Sequence, residues 1–261
     1  MRIWAHRGCS QMYPENTLTA FRKAMEVPGV AGIELDIQLS KDGELVVIHD
    51  ERVDRTTDGY GFVRDYTLKE LKSFHIFAGG EKAERIPTMR EVFELLSPKL
   101  LEYCRAKENG VEGKGLRLNI ELKNSIYPYP GMEQKIVDMV NEFGVQDAIV
   151  YSSFYAESLL KVHDLAPEAE LGVLDVKVSD CLFKALGIEQ LMDKPVKCAL
   201  HPAGGGIDIE DYRFDDRPVR AWFGGHLYPE KPTEGKMDIF KYESMGVTDL
   251  FLNEPEKYLR G

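Results

Sequence analysis

The chain has 261 residues, of which 43% are hydrophobic, and carries a formal net charge of -11 with a pI near 5.1. The acidic balance argues against broad nucleic-acid binding, and no apolar run is long enough to span a membrane. This length suits one large core, so we expect a single domain over residues 1–261 with a small insertion at about 50–87.

Short strand patterns alternate with helical patterns along the chain. Eight strands are predicted, at 3–7, 32–38, 118–123, 148–153, 170–174, 197–201, 219–223 and 249–253. Helices are predicted at 17–25, 67–73, 88–96, 132–143, 156–165, 178–186 and 237–245, with caps at Asn16 or Thr17 and stops at Gly144 or Gly187. The alternation indicates a parallel sheet, and eight such units predict an α/β fold of the (β/α)₈ TIM-barrel type.

Polar and apolar residues alternate within two of these strands. Glu34 and Asp36 share one face of the strand at 32–38, and Glu121 shares a face with Lys123 on the strand at 118–123. Taken alone, this alternation fits two half-exposed antiparallel strands equally well. In a barrel, however, the apolar faces contact the outer helices and the polar faces point inward, so we expect the three acids to converge at the mouth.

Two histidines complete this polar group. His6 and His49 each end a short apolar strand, and the turn signal at 41–44 predicts a ribbon that folds 45–48 back beside the second barrel strand. Histidine transfers protons near neutral pH, and Arg7 adds a cation that suits a phosphate. The combination is typical of phosphate-ester cleavage, whereas we interpret His75 and His163 as ordinary surface or core residues.

An ordered series of short motifs runs along the chain and is densest in its first half. It consists of Ala5-His6-Arg7-Gly8, Pro14-Glu15-Asn16-Thr17, Glu34-Leu35-Asp36, Asp42-Gly43, His49-Asp50, Asp54-Arg55-Thr56-Thr57, Ile86-Pro87-Thr88 and Asn119-Ile120-Glu121-Leu122-Lys123. The series resembles the glycerophosphodiester phosphodiesterase family. The resemblance implies a metal-dependent TIM barrel, with an insertion after the second strand, that hydrolyses glycerophosphodiesters to an alcohol and glycerol 3-phosphate.

The same resemblance implies a role for each polar residue of the motifs. Glu34, Asp36 and Glu121 match the metal ligands, and three carboxylates suit Ca²⁺ or Mg²⁺. The alternative is an acidic cluster that is salt-bridged to Lys123 and Arg7. His6 and His49 match the catalytic pair, with the base and the acid unassigned, while Arg7 and Lys123 would bind the phosphate. Attack by the substrate's own hydroxyl through a cyclic phosphate and attack by water both stay open.

The second half of the chain departs from the family pattern. It has Trp222-Phe223-Gly224-Gly225-His226 where relatives commonly carry Trp-Thr-Val-Asn. Near the C-terminus it has Asn253-Glu254-Pro255 where the family usually has Thr-Asp before a proline. Trp222, Phe154 and Glu15 are the candidate substrate-pocket residues, and His201 and His226 follow predicted strands at the same end. Trp222 fits barrel core as well, and Glu15 fits a brace for Arg7 or His6.

Two other functions compete with this one. A phospholipase D-type enzyme acting on lysophospholipids would need an apolar groove, and no basic amphipathic helix supports it. A non-catalytic phosphate-binding barrel conflicts with the intact motifs. Because the first strand begins at the N-terminus, we expect no signal peptide and a cytoplasmic enzyme for a small diester. The four cysteines are interpreted as free thiols. The leaving alcohol and the oligomeric state stay open.

Overall fold

Eight parallel strands form a nearly closed barrel in the computed structural model, which describes residues 1–77, 83–194, 196–207, 216–224 and 236–259. The strands are β1 Arg2–His6, β2 Gly32–Leu39, β4 Arg117–Leu122, β5 Ile149–Ser153, β6 Glu170–Asp175, β7 Ala199–Pro202, β8 Arg220–Trp222 and β9 Asp249–Leu252. The barrel order is β7-β6-β5-β4-β2-β1-β9-β8, and single bridges from Leu200 to Val219 and from Ala203 to Trp222 bring β7 beside β8. The predicted TIM barrel is confirmed.

One further strand, β3 Leu45–Val47, pairs antiparallel with the end of β2. It is the predicted ribbon, and it carries the chain to His49 beside the carboxyl end of β2. The insertion that follows packs around its own small apolar core. This core consists of Val46, Ile48, Val53, Val63, Leu71, Ile76 and Ile86.

Helices lie between most of the strands. They are α1 Leu18–Met25, α2 Leu68–Leu71, α3 Met89–Glu108, α4 Met132–Phe143, α5 Ala156–Leu165, α6 Val178–Glu189, α7 Ile239–Ser244 and α8 Pro255–Leu259. The short C-terminal α8 was not predicted. In the described part of the chain, no helix combines the length and the apolar character that crossing a membrane requires.

Two predicted helices extend beyond their predicted ends. The helix predicted at 88–96 continues through Pro98 to residue 108, because Leu100 and Cys104 extend its buried stripe by two more turns. The helix predicted to stop at Gly187 continues to Glu189. In both cases, packing against the barrel outweighs a residue that is unfavourable within a helix.

The two faces of the strands divide the interior as the alternation predicts. Ile33, Leu35 and Ile37 belong to the core between barrel and helices. The opposite faces fill the barrel itself, with Trp4 and Phe251 packed edge to face at 5.5 Å. Below them lie charged groups that pair with one another, including Arg117, Glu170, Arg220 and Asp249. The polar group of the motifs lies at the other end, where the strands finish.

Candidate active site

Three carboxylates meet at the ends of β2 and β4. Glu34, Asp36 and Glu121 each place one oxygen within 4.8 Å of the others, and all three residues are buried. Parallel pairing sets Asp36 beside Glu121 in register, so the two strands alone produce the cluster. The cluster is also salt-bridged, since Lys123 Nζ lies 2.9 Å from Glu121 and 4.0 Å from Asp36 Oδ1. Both interpretations of the sequence are therefore compatible with the geometry.

The electrostatics of the cluster favour a cation. Burial and the charges of Asp36 and Glu121 raise the pKa of Glu34 well above its ordinary value, and burial also raises the pKa of Glu121. The pKa of Asp36 is lowered despite its burial, by His49, Arg7 and Lys123. Asp36 Oδ1 is buried and accepts no hydrogen bond from the described protein. Crowded carboxylates with an unbonded oxygen fit a hard divalent ion.

Asn16 and Arg7 are held in an uncommon backbone conformation beside this cluster. Their φ angles are +56° and +57°, in the left-handed region. Asn16 Nδ2 donates to Asp36 Oδ2 at 2.9 Å, so Asn16 orients a carboxylate and does not cap α1. The cap is Thr17, whose side chain accepts from the Ala20 amide. Arg7 also donates its backbone N–H to Glu34, at 3.1 Å.

His6 is buried at the end of β1. Its Nδ1 bonds the amide oxygen of Asn253 at 2.7 Å, and its Nε2 lies 3.7 Å from Glu34. Burial, followed by the charge of Arg7, lowers the pKa of His6 to about 3. The lowered pKa favours the neutral imidazole, and the contact with the Asn253 amide oxygen favours the tautomer with the proton on Nδ1 and Nε2 as an acceptor.

His49 is held from three sides. Its Nδ1 lies 2.6 Å from Asp50 Oδ1, and its Nε2 lies 3.2 Å from Lys123 Nζ. Its backbone is held by Gln38, whose Nε2 donates to the carbonyls of Ile48, His49 and Asp50 at 3.1, 3.1 and 2.7 Å. Tyr129 donates in turn to Gln38 Oε1. These contacts attach the ribbon that carries His49 to the interior of the barrel.

Arg7 and Lys123 both approach Asp36 of the cluster. Arg7 Nη1 donates to Glu15 at 2.9 Å, and Arg7 Nε lies 3.4 Å from Asp36. Glu15 therefore holds Arg7 and does not contact His6. Lys123 is mostly buried, and the neighbouring Glu121 and Asp36 raise its pKa against the effect of burial. Both cations remain charged at any physiological pH.

A cavity of about 80 Å³, partly open to solvent, lies beside the cluster. Its residues are His6, Arg7, Glu34, His49, Asn119, Glu121, Ser152, Phe154, Leu174, His201, Trp222 and Phe251. Trp222 and Phe154 meet edge to face at 6.2 Å, while Glu15 lies outside the lining. His226 lies outside the described residues.

Sequence reasoning missed several supporting residues of this site. Asn253, Gln38 and Asp50 hold the two histidines but were not proposed as site residues. Asp50 was adjacent to His49 in a quoted motif, so a signal existed for it. Gln38 shares the inward face of β2 with both acids, and strand alternation could have identified it.

Comparisons with known proteins agree with this geometry. The model of the glycerophosphoryl diester phosphodiesterase family matches residues 6–181. A glycerophosphodiester phosphodiesterase of Caldanaerobacter subterraneus is 47% identical over 177 residues. The match covers 66% of this chain and 65% of that protein, so the chain spans just under two thirds of that relative. A glycerophosphodiester phosphodiesterase of Bacillus subtilis is 30% identical, and the match covers 97% of this chain and 84% of that protein.

A solved structure is similar over almost the whole chain. A phosphodiesterase from Oleispira antarctica in complex with the product sn-glycerol-3-phosphate superposes with a TM-score of 0.73 and 26% identity. The match covers 98% of this chain and 94% of that one.

Proposed function

The chain belongs to the glycerophosphoryl diester phosphodiesterase family, and from this premise we propose that it hydrolyses glycerophosphodiesters to an alcohol and glycerol 3-phosphate. The observation that carries the proposal is that two histidines, Arg7 and two of the three clustered carboxylates line one cavity. The third carboxylate, Asp36, and the second cation, Lys123, contact this group directly. The glycerol 3-phosphate named in the Oleispira structure supports the same product.

Glu34, Asp36 and Glu121 are the residues that would hold a divalent ion, with Ca²⁺ and Mg²⁺ the best suited. Such an ion polarises a phosphoryl oxygen and offsets the negative charge that develops there. Lys123 lies close to Glu121 and Asp36, so its charge partly neutralises these two acids.

Arg7 and Lys123 would bind the two free oxygens of the phosphodiester. Arg7 is fixed by Glu15 on one side and by Asp36 on the other, which orients the guanidinium before the substrate arrives. Lys123 Nζ lies next to both Glu121 and His49 Nε2, so a phosphate bound there would lie within reach of a proton-transfer atom.

His6 and His49 would transfer protons through Nε2. In each ring, Nδ1 is bonded to an acceptor, Asn253 for His6 and Asp50 for His49, and Nε2 is left for proton transfer. Both rings line the cavity, and Nε2 of His49 also contacts Lys123. One ring would accept the proton of the attacking hydroxyl or water, and the other would supply a proton to the departing alkoxide. The leaving alcohol would contact the wall formed by Phe154 and Trp222.

The test measures glycerol 3-phosphate release from a panel of glycerophosphodiesters, with EDTA and then with Ca²⁺ or Mg²⁺ restored. We expect turnover that requires the ion and is lost in His6→Ala. If the folded, ion-loaded protein cleaves no soluble diester but releases the alcohol from lysophospholipids, the substrate class is wrong. Inactivity on both classes would contradict the enzymatic proposal.

A second assay separates the two histidines. The variant that lacks the proton donor to the leaving group recovers activity on a diester whose alcohol is a good leaving group, such as p-nitrophenol, because that alkoxide needs no proton. The variant that lacks the base stays inactive on both diesters. Equal defects of His6→Ala and His49→Ala on both substrates would contradict a division of labour.

A further inference from the structure

A continuous line of ion pairs crosses the barrel mouth and connects Arg7 with His49. Arg7 and Arg55 both donate to Glu15, Arg7 at 2.9 Å and Arg55 at 2.6 and 2.8 Å. Arg55 also donates to both oxygens of Asp50, at 2.6 and 2.9 Å. Asp50 Oδ1 then bonds His49 Nδ1 at 2.6 Å. Charges alternate from Arg7 to Asp50, so Glu15 and Arg55 are each held by an opposite charge on either side.

Arg55 is the central member of this line, and the proposed reaction assigns it no task. It lies in the insertion, forty residues along the chain from Glu15, and no other described contact joins these two segments through a charged pair. Its guanidinium makes two forked interactions at once, one with each carboxylate. A lysine could not make both, because its ammonium is a single point charge.

The forked contact with Asp50 fixes the direction of that carboxylate. An aspartate held by one oxygen can rotate about its last bond, whereas one held at both oxygens cannot. Oδ1 is therefore kept facing His49 Nδ1, which sets the tautomer and the orientation of the ring. Hydrogen bonds from His49 and Arg55 lower the pKa of Asp50 despite its burial, so the carboxylate stays ionised.

The geometry points to Arg55 as a positioning residue that holds His49 through Asp50 and Arg7 through Glu15, and so joins the proton-transfer group to the phosphate-binding group. The effect of Arg55 on catalysis rests on the proposed function, whereas its positioning of the His49 ring is independent of that function.

The kinetic test compares Arg55→Met and Arg55→Lys with Arg52→Met. Arg52 lies in the same insertion and is partly exposed, but among the described carboxylates it pairs with Asp54 alone, at 2.7 Å, and it stacks on Tyr60. We expect kcat to fall about 100-fold in Arg55→Met, by less in Arg55→Lys, and to stay unchanged in Arg52→Met. Free guanidinium should partly restore Arg55→Met.

A His49→Ala background shows whether Arg55 acts through that ring. There, Arg55→Met should lower the residual rate by a much smaller factor than in the wild type, because the group it positions is gone. An equal factor in both backgrounds would overturn the proposal, since it would mark Arg55 as a support for the insertion in general. Thermal unfolding of each variant checks that it is folded.

Nitrogen-15 spectra of the histidine rings test the positioning without any turnover. We expect the wild type and Arg52→Met to show His49 as a single Nδ1–H tautomer, and Arg55→Met to show a mixture, with His49→Ala assigning the signal. Unchanged His49 shifts in Arg55→Met would overturn the proposal. A wild type that cleaves no diester but shows the expected shifts would refute the function and leave the positioning role intact.

Discussion

His49 and His75 make the same local contact in different surroundings. Each has Nδ1 bonded to an aspartate, His49 to Asp50 at 2.6 Å and His75 to Asp58 at 2.8 Å. Only His49 also reaches the cavity and approaches Lys123. A histidine–carboxylate pair alone is therefore no indication of catalysis, and the neighbouring groups make the difference.

These two residues form a matched test. We expect His49→Ala to reduce kcat by about 10²- to 10⁴-fold, because a proton-transfer group is lost. His75→Ala, in the insertion that follows His49, should retain the wild-type rate. Steady-state kinetics on a glycerophosphodiester measures both. A comparable loss in the two variants would show that the insertion, and not the His49 ring, limits the reaction.

Asp36 decides whether the carboxylate cluster binds an ion. A cation at 100 times its Kd stabilises the protein by about 2.7 kcal/mol, and Asp36→Asn should lose most of this gain because the unbonded Oδ1 is a principal donor. Thermal unfolding with Ca²⁺, with Mg²⁺ and with EDTA measures the change. Glu133→Gln is the control, since Glu133 is buried but bonds Ser158 and Asn124 away from the cluster. If it loses the shift equally, the ion binds elsewhere.

At the scale of elements, the ribbon after β2 depends on one amide. Gln38 Nε2 donates to three successive carbonyls, and no other described side chain bonds these three oxygens. Gln38→Leu should cost about 1–3 kcal/mol of unfolding free energy and lower kcat as well, since the carbonyls lose their donor and His49 loses its support. Gln134→Leu, on the exposed face of α4, is the control. Urea unfolding and kinetics would contradict the assignment if both variants behaved alike.

The elements also show what a sequence can and cannot predict. Strand alternation and the predicted parallel barrel together were enough to bring Glu34, Asp36 and Glu121 close to one another, because parallel pairing sets Asp36 beside Glu121. It could not show that α3 passes through Pro98, since only the barrel surface makes that extension favourable. Nor could it pair Arg55 with Glu15, because a contact between two loops forty residues apart depends on how the insertion folds.

For the molecule as a whole, ion pairs inside the lower barrel should govern part of its acid stability. Arg220 and Arg117 lower the pKa of Glu170 to about 2 although burial raises it. A lowered carboxyl pKa stabilises the fold above the ordinary value of 4.5, and this contribution disappears as the pH falls from 4.5 toward 2. Glu170→Gln should therefore show a shallower loss of unfolding free energy over this range.

The control for this prediction is Glu168→Gln, an exposed glutamate two residues away. It should keep the wild-type slope in urea unfolding between pH 5 and pH 3. Equal slopes in all three proteins would mean that other carboxylates, and not Glu170, account for the acid sensitivity.

The two halves of the cavity wall come from different parts of the chain. His6, Arg7, Glu34, His49 and Glu121 belong to its first half, whereas Phe154, Leu174, His201 and Trp222 belong to its second half. Under the proposed function, recognition of the leaving alcohol can therefore diverge from the reaction chemistry, provided that Asn253, which bonds His6, is kept. Chimeras that exchange the later strand-end segments but retain Asn253 offer a route to new alcohol preferences.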